Sequence, residues 1–297
     1  MRVAITGSSG LIGTALRASL AADGHQIVRL VRRPVAAPNE ISWDPAAGRL
    51  DPAQLAGVEA VVNLAGAGIG DHRWTRSYKR TIRDSRVAAT RTLSTALAGL
   101  TEPPRVLVSQ SRIDAYGLGH RSEILDEDEP RGEGFLARVC RDWEDATAPA
   151  ANADIAVCHT RMGIVMTARG GWLAELLKIF RLGLGGPLAG GEQYWSFISL
   201  YDAVRALRFL IEIHGCSGPY NITVPEPVTN AEFTRVLAKA VSRPALLPVP
   251  EFALHIRLGE SADQIASSLR VIPARLVEAG FEHRHPDAPS VVTAALH

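Results

Sequence analysis

Apolar positions follow two alternating patterns over about the first 165 residues. Short apolar runs, typical of buried strands, alternate with stretches in which apolar residues recur every three or four positions, as on one face of a helix. The helical pattern predicts helices at 11–22, 75–99 and 133–148, and the apolar runs predict strands at 2–6, 26–31, 58–64, 105–109 and 155–161. Strands that alternate with helices in this way predict a doubly wound α/β fold around a parallel sheet.

A glycine motif, formed by Gly7, Gly10 and Gly13, lies between the first predicted strand and the first predicted helix. In a dinucleotide-binding turn, the first glycine permits a sharp turn, the second lets the backbone approach a pyrophosphate, and the third lets the helix pack close to the strand. The helix N-terminus then presents N–H groups and a positive dipole end to the phosphates. The motif predicts a Rossmann-type sheet that binds a dinucleotide. The residues expected to line the cofactor here are Thr6, Gly7, Ser9, Gly10, Leu11, Ile12 and Gly13.

The end of the second predicted strand bears on the choice of cofactor. Arg32 and Arg33 stand where an acidic residue would bind the ribose of NAD, and arginine there accommodates a 2′-phosphate. No acidic residue is expected at this turn, so NADP is the predicted cofactor and NAD the second choice. A solvated basic turn before Pro34 is the alternative. Asp44, at the end of a third strand, is expected near the adenine, and the exit of the fourth strand is expected to line the cofactor with Asn63, Leu64, Ala65 and Gly66.

The pattern changes after residue 165. Glycine-rich and proline-punctuated segments at 183–187 and 244–250 surround amphipathic stretches. We therefore predict two domains, a nucleotide-binding Rossmann domain over 1–165 and a smaller substrate-binding lobe over 166–297, part of which can return to the Rossmann sheet.

Composition narrows the function classes. With 32 basic and 31 acidic residues, the net charge is +1, which gives no electrostatic case for nucleic acid or an anionic membrane. The cysteines (Cys140, Cys158 and Cys216) lack metal-site spacing and are odd in number, which fits a reduced, cytoplasmic compartment. Neither a signal peptide nor a membrane span is predicted, and the histidines predict no metal site. The expected partner is a small-molecule substrate, and a homodimer is left open.

Several segments resemble one branch of a known superfamily. The glycine motif, the Asn63–Gly66 segment and the Ser109 to Gly117 stretch resemble extended short-chain dehydrogenases/reductases. Arg73-Trp74-Thr75, Cys140 to Glu144, Arg161 to Val165 and Arg181 to Pro187 resemble its atypical subfamily of epimerase family proteins. This likeness covers nearly the whole chain, and it implies an NADP(H)-binding, epimerase- or dehydratase-like oxidoreductase whose substrate is not specified.

The superfamily's catalytic pair is missing from this sequence. A tyrosine acid/base precedes a lysine by four residues in those enzymes, and a serine polarises the substrate oxygen. No tyrosine here has a lysine four positions on, and the segment expected to hold the pair reads Phe135 to Cys140. Ser111 is the better match to the superfamily's catalytic serine, and capping of a turn is its alternative role. Tyr116 is a candidate for a displaced acid, and packing is its alternative role. Ser109, and Arg161 at the end of the sixth strand, are expected beside the cofactor or a phosphate.

The sequence is therefore compatible with two functions. The first is an NADP(H)-dependent oxidoreductase or epimerase-like enzyme. The second is a non-catalytic NADP(H) sensor or regulatory scaffold, for example in cell division. Arg86, on the long helix predicted at 75–99, needs a partner if it is buried, and a structural role and a ligand contact both remain open.

Overall fold

The structure, a computed structural model, describes residues 1–120 and 122–296. In this part of the chain a seven-stranded sheet lies between layers of helices. The strands are β1 (Arg2–Thr6), β2 (Gln26–Val31), β3 (Glu40–Ser42), β4 (Ala60–Asn63), β5 (Val106–Arg112), β6 (Ile124–Leu125), β7 (Ala156–Met162), β8 (Ile164–Met166), β9 (Tyr194–Trp195), β10 (Phe197–Ser199), β11 (Gly218–Ile222), β12 (Val228–Thr229) and β13 (Arg270–Val271). The helices are α1 (Leu11–Ala22), α2 (Arg76–Ala98), α3 (Phe135–Asp145), α4 (Ala148–Ala151), α5 (Gly171–Phe180), α6 (Leu200–Glu212), α7 (Asn230–Ala240), α8 (Glu251–Leu258), α9 (Ala262–Ala266), α10 (Ala274–Glu278) and α11 (Ala288–Leu296). None of the helices in these two ranges is long and apolar enough to cross a lipid bilayer.

The strand order of the large sheet is β3-β2-β1-β4-β5-β7-β11, and each neighbouring pair is parallel. The order reverses between β1 and β4, which is where open α/β sheets bind ligands beyond the carboxyl ends of their strands. Thr6 lies beside Asn63 in the register, and Asn63 lies beside Ser109. The doubly wound parallel sheet predicted from the sequence is confirmed.

Both faces of this sheet are buried. Val3 and Ile5 of β1 pack into an apolar cluster with α1 and α6, whereas Ala4 and Val61 pack with Leu93 of α2 on the opposite face. Successive residues of a strand point to opposite faces, so one strand serves both layers. Ligand-binding groups are therefore expected at the strand ends, and in open α/β sheets these are the carboxyl ends.

Beyond β7 the chain both returns to the sheet and builds a second apolar cluster. Helix α6 packs against α1, and β11 pairs with β7 at the edge. The second cluster combines α5, α7 and α11 through Leu173, Leu177, Phe233, Leu237 and Val291. The predicted division at residues 165 and 166 stays a prediction.

Two predicted boundaries are wrong for local reasons. Strand β3 ends at Ser42, and Asp44 instead caps a turn that begins at Pro45, whose missing N–H cannot continue a ladder. The helix predicted at 133–148 is divided into α3 and α4. Pro149 lies in the first turn of α4, where its missing N–H costs nothing, whereas in a continuous helix it would break the hydrogen-bond ladder.

Candidate functional site

The three glycines between β1 and α1 have different surroundings. Gly7 has a φ of +61°, and a Cβ on it would lie 2.4 Å from the carbonyl oxygen of Leu64. A Cβ on Gly13 would lie 2.3 Å from the carbonyl oxygen of Gly7. At Gly10, which is exposed, that same oxygen is the nearest contact of a Cβ, at 3.3 Å. Gly7 and Gly13 are therefore required by packing, whereas a Cβ on the exposed Gly10 would have one close contact, with that single backbone oxygen.

The first turn of α1 is available to an anion. Gly10 is its N-cap and provides no side-chain cap, and the turn contains no acidic residue. Leu11 and Ile12 begin the helix half-buried, and Ser9 is exposed beside them. Backbone N–H groups and the positive dipole end at such a terminus attract phosphate. Together with the exposed backbone at Gly10, this terminus fits the pyrophosphate of a dinucleotide.

The predicted cofactor residues at the strand ends bind one another. The hydroxyl of Thr6 donates to Asn63 Oδ1 at 2.7 Å. Asn63 Nδ2 donates to Thr90 Oγ1 at 2.8 Å and to Ser109 Oγ at 3.2 Å. Thr6, Asn63, Thr90 and Ser109 are all fully buried. This network joins β1, β4, β5 and α2, so the surroundings of these side chains favour a supporting role.

The segment after β4 follows directly from that network. The backbone N–H groups of Leu64 and Ala65 donate to Thr6 Oγ1 at 3.0 and 3.1 Å, and Gly66 is exposed. Because the carbonyl of Leu64 lies against Gly7, this exit loop borders the glycine turn. The predicted residues from Leu64 to Gly66 are thereby placed beside the expected pyrophosphate position.

The end of β2 contains more charge than the sequence indicated. Glu40 is buried and receives both Arg33 Nη atoms at 2.6 and 2.9 Å, together with Arg29 Nη1 at 3.0 Å. The Arg33 hydrogen bond lowers the pKa of Glu40 to about 2. The turn itself contains no acidic residue, as the sequence indicated, but the pairing of β3 with β2 brings Glu40 against it. Arg32 is exposed and has no polar partner in residues 1–120 and 122–296, while Arg29 Nε lies 3.3 Å from Ser8 Oγ.

Asp44 has two local partners. Its Oδ1 accepts from the backbone N–H of Ala47 at 3.1 Å, and its Oδ2 accepts from Arg49 at 2.6 Å. The backbone hydrogen bond from Ala47 and the ion pair with Arg49 lower the pKa of Asp44. These contacts account for an aspartate at this position, and a contact with adenine stays a prediction.

Ser111 and Arg161 converge on a buried carboxylate. The Ser111 hydroxyl donates to Glu144 Oε1 at 2.7 Å, and Arg161 donates to the two Glu144 oxygens at 3.1 and 3.2 Å. All three residues are buried. Burial alone would raise the pKa of Glu144, but the hydrogen bond and charge of Arg161 outweigh it, so the pKa is lowered. The site residues Ser111 and Arg161 are thus brought together, between α3 and the sheet.

Tyr116 is buried below this cluster. Its hydroxyl donates to Asn221 Oδ1 at 2.8 Å, and the Arg161 guanidinium lies 4.9 Å from its ring centre. The ring packs with Ile113 and Leu269, and the residue is 1% exposed. Burial raises the pKa of Tyr116 to about 12. These surroundings are those of a structural tyrosine, and a role in proton transfer stays a prediction.

Known proteins share this architecture. The sequence profile described as the NAD dependent epimerase/dehydratase family matches residues 3–223. The chain belongs to this family. A domain of unknown function, DUF1731, matches residues 249–295. An epimerase family protein of Mycobacterium bovis is 44% identical over 284 residues, which are 95% of this chain and 93% of the relative.

Solved structures of epimerase family members superpose over the whole chain. The crystal structure of human epimerase family protein SDR39U1 (isoform 2) with NADPH has a TM-score of 0.91 and 30% identity, and 99% of each chain is covered. A nucleoside-diphosphate sugar epimerase from Corynebacterium glutamicum has a TM-score of 0.84 and 34% identity, covering 100% of this chain and 58% of that one.

Helix α3 of this family member contains neither tyrosine nor lysine. Leu136 and Cys140 lie four residues apart on it, and both are buried. Burial raises the pKa of the Cys140 thiol to about 12, so the thiol is neutral at physiological pH. In the segment where the acid/base pair was expected, α3 offers no group that titrates near neutral pH.

Sequence reasoning missed several of the charged groups at the site. Arg29 and Glu40 meet only through the pairing of β2 with β3, and Arg17 reaches back to the carbonyl oxygen of Ser8 at 3.0 Å. Glu144 was visible only as part of a family segment. Its i+4 spacing from Cys140 on an amphipathic helix is the signal that could have placed it beside β5.

Proposed function

We propose that this protein binds NADPH and that it is an oxidoreductase or epimerase-like enzyme acting on a small organic molecule. The observation that carries the proposal is an exposed Gly10 at a helix N-terminus without a side-chain cap, together with the exposed Arg32 just after β2. Arg32 has no polar partner among residues 1–120 and 122–296. Human SDR39U1, which has nearly the same fold, has been solved with NADPH. NADPH, when bound, supplies a hydride.

Different residues of this chain would bind different parts of NADPH. The α1 N-terminus and Ser9 would hold the pyrophosphate, and Arg32 would donate to the 2′-phosphate through charge-assisted hydrogen bonds. Arg29 and Arg33 add positive charge, although Glu40 neutralises part of it. The exit loop at Leu64 to Gly66 would border the ligand as it passes from β1 toward β5.

The test is hydride transfer from NADPH. Purified protein with NADPH is mixed with a panel of aldehydes, ketones, imines and sugar nucleotides. Loss of NADPH fluorescence detects net reduction, and chromatography of the products detects epimerisation, which consumes no net NADPH. We expect saturable turnover with at least one class, which is lost in Gly10→Val. Tight NADPH binding without turnover across the panel would reject the enzyme and leave the cofactor site standing.

A non-catalytic NADPH sensor is the second candidate. The observation that favours it is α3, which presents a buried leucine and a neutral thiol in the segment where the family's acid/base pair is expected. A sensor would change its exposed surface when the cofactor binds, so protease protection by NADPH far from the glycine turn, without turnover, would support this function.

A further inference from the structure

Arg86 is a buried cation on α2. The residue is 6% exposed, and in residues 1–120 and 122–296 no carboxylate forms an ion pair with it. Its Nη1 donates to the carbonyl oxygen of Ile82 in its own helix at 2.8 Å, whereas its buried Nε has no partner. The guanidinium lies 5.0 Å from the ring centre of Trp143. An uncompensated buried charge is costly, so this arrangement needs an explanation beyond packing.

The place of Arg86 in the fold is at the ligand-binding edge. Thr90, one turn along α2, contacts Asn63, the last residue of β4. Arg86 therefore lies beyond the end of β4, where its guanidinium packs against Gly66. A Cβ on Gly66 would lie 3.2 Å from Arg86 Cζ. The arginine thus lies beneath an exposed glycine of the exit loop, next to the glycine turn.

A second arginine adds charge at the neighbouring strand end. Arg112, the last residue of β5, is about one-third exposed and pairs with Asp114 through Nε at 2.6 Å. Burial, followed by the charge of Arg112, lowers the pKa of Arg86 to about 10. Because Asp114 is the partner of Arg112 and the Cys140 thiol is neutral, the group of Arg86, Arg112, Asp114 and Cys140 has a net charge of about +1.

We infer that Arg86 and Arg112 form a subsite for the anionic group of the substrate, a carboxylate or a phosphate. This inference rests on the proposed function. The α1 N-terminus takes the pyrophosphate at β1, so the ends of β4 and β5 lie further along the ligand path, toward the reacting end of the cofactor. Guanidinium groups bind both oxyanions through paired N–H donors, and desolvation strengthens that bond.

The experiment measures anion binding in the NADPH complex, where the cofactor's own phosphate positions are filled. The Tm of the wild-type protein with saturating NADPH is recorded against inorganic phosphate and, separately, malonate, with chloride at equal ionic strength as the reference. We expect a saturable rise in Tm with phosphate, malonate or both. Arg86→Met should abolish this rise, and Arg86→Lys should keep part of it. Arg91→Met, which removes an exposed arginine of the same helix, should leave it unchanged.

The Tm and the NADPH affinity of Arg86→Met distinguish a substrate subsite from a structural role and from a cofactor contact. Without ligands, Arg86→Met should melt at or above the wild-type temperature, because it removes an uncompensated buried charge; a clear fall in Tm would mean that Arg86 is structural. NADPH affinity, measured by calorimetry, should change less than threefold in Arg86→Met. A tenfold loss would assign Arg86 to the cofactor and overturn the substrate subsite. An anion response equal in wild type and Arg86→Met would also overturn it, whereas absence of NADPH binding in wild type would reject the proposed function instead.

Discussion

At Gly13 a methyl group would lie 2.3 Å from the carbonyl oxygen of Gly7, whereas at Gly10 it would lie 3.3 Å from the same atom. Gly10 also has a φ of −73°, which any residue can adopt. Packing therefore requires glycine at position 13, whereas at position 10 a side chain needs only a small shift of one backbone oxygen. The proposed NADPH site would account for a glycine at position 10, because a pyrophosphate would approach the backbone there.

Gly10→Val should separate binding from folding. We expect it to lower NADPH affinity at least tenfold, because each charge-assisted hydrogen bond lost contributes about 1.5–3 kcal/mol. Its unfolding transition should stay close to wild type. The matched variant Gly13→Ala should instead lose about 1–3 kcal/mol or more of unfolding free energy through overpacking. Calorimetric titration and urea unfolding measure the two effects. Retained NADPH affinity in Gly10→Val would show that the turn has no role in binding.

The arginines after β2 should contribute unequally. Arg32→Ala should weaken NADPH about tenfold or more and leave NADH unchanged, because the exposed guanidinium is free to donate to a 2′-phosphate. Arg33→Ala should have the smaller effect, since both Nη atoms of Arg33 already donate to Glu40. Titration of each variant with NADPH and NADH checks that Arg32→Ala loses more NADPH affinity than Arg33→Ala. A larger loss in Arg33→Ala would mean that the ion pair with Glu40 opens when the cofactor binds.

At the scale of elements, α3 holds the ends of β5 and β7 together through Glu144, and it presents no tyrosine–lysine pair. Glu144 of α3 binds Ser111 of β5 and Arg161 of β7, so one carboxylate joins a helix to two strands. Tyr116 follows β5 and donates to Asn221 of β11. These contacts explain the residues without reference to a substrate.

Tyr116→Phe tests that explanation. We expect a loss of about 1–3 kcal/mol in unfolding free energy, because Asn221 Oδ1 would remain buried without its donor. With any substrate found, kcat should stay within about threefold of wild type, whereas loss of a general acid would lower it about 10²–10⁴-fold. The exposed Tyr201 provides the control Tyr201→Phe, which should change neither quantity. A hundredfold fall in kcat for Tyr116→Phe alone would make Tyr116 the proton donor.

For the whole molecule, two half-buried histidines lower the stability at acid pH. Burial lowers the pKa of His159, whose Nε2 lies 3.0 Å from Thr147 Oγ1, and burial also lowers the pKa of His283. Unfolded histidine titrates near pH 6.5, so below that pH the unfolded chain binds more protons than the folded protein. Stability that is present above about pH 6.5 is therefore lost as the pH falls toward the folded pKa values.

The expected result is a free energy of unfolding that declines below about pH 6.5, with a slope of at most about 1.4 kcal/mol per pH unit for each proton taken up. His159→Gln, which can keep a hydrogen bond to Thr147, should make this slope shallower. Urea unfolding between pH 5 and pH 8 measures it. An unchanged slope in the variant would show that His159 does not contribute.

The parallel sheet and the glycine turn could be predicted from the sequence, because both depend on patterns of neighbouring residues. Alternation of apolar runs predicted the parallel sheet, and the spacing of Gly7, Gly10 and Gly13 predicted the turn. The pairing of Glu40 with the arginines of β2 could not be predicted, since it depends on which strands become neighbours. The same limit applies to Arg86, whose isolation follows from the packing of α2, α3 and the loop after β4.

The most direct test of the central claim is calorimetric titration of the wild-type protein with NADPH and NADH under identical conditions. The account predicts saturable binding of one NADPH per chain, with NADH binding about tenfold or more weakly, because Arg32 meets a 2′-phosphate only in NADPH. Equal affinities for the two cofactors, or no binding of either, would contradict it.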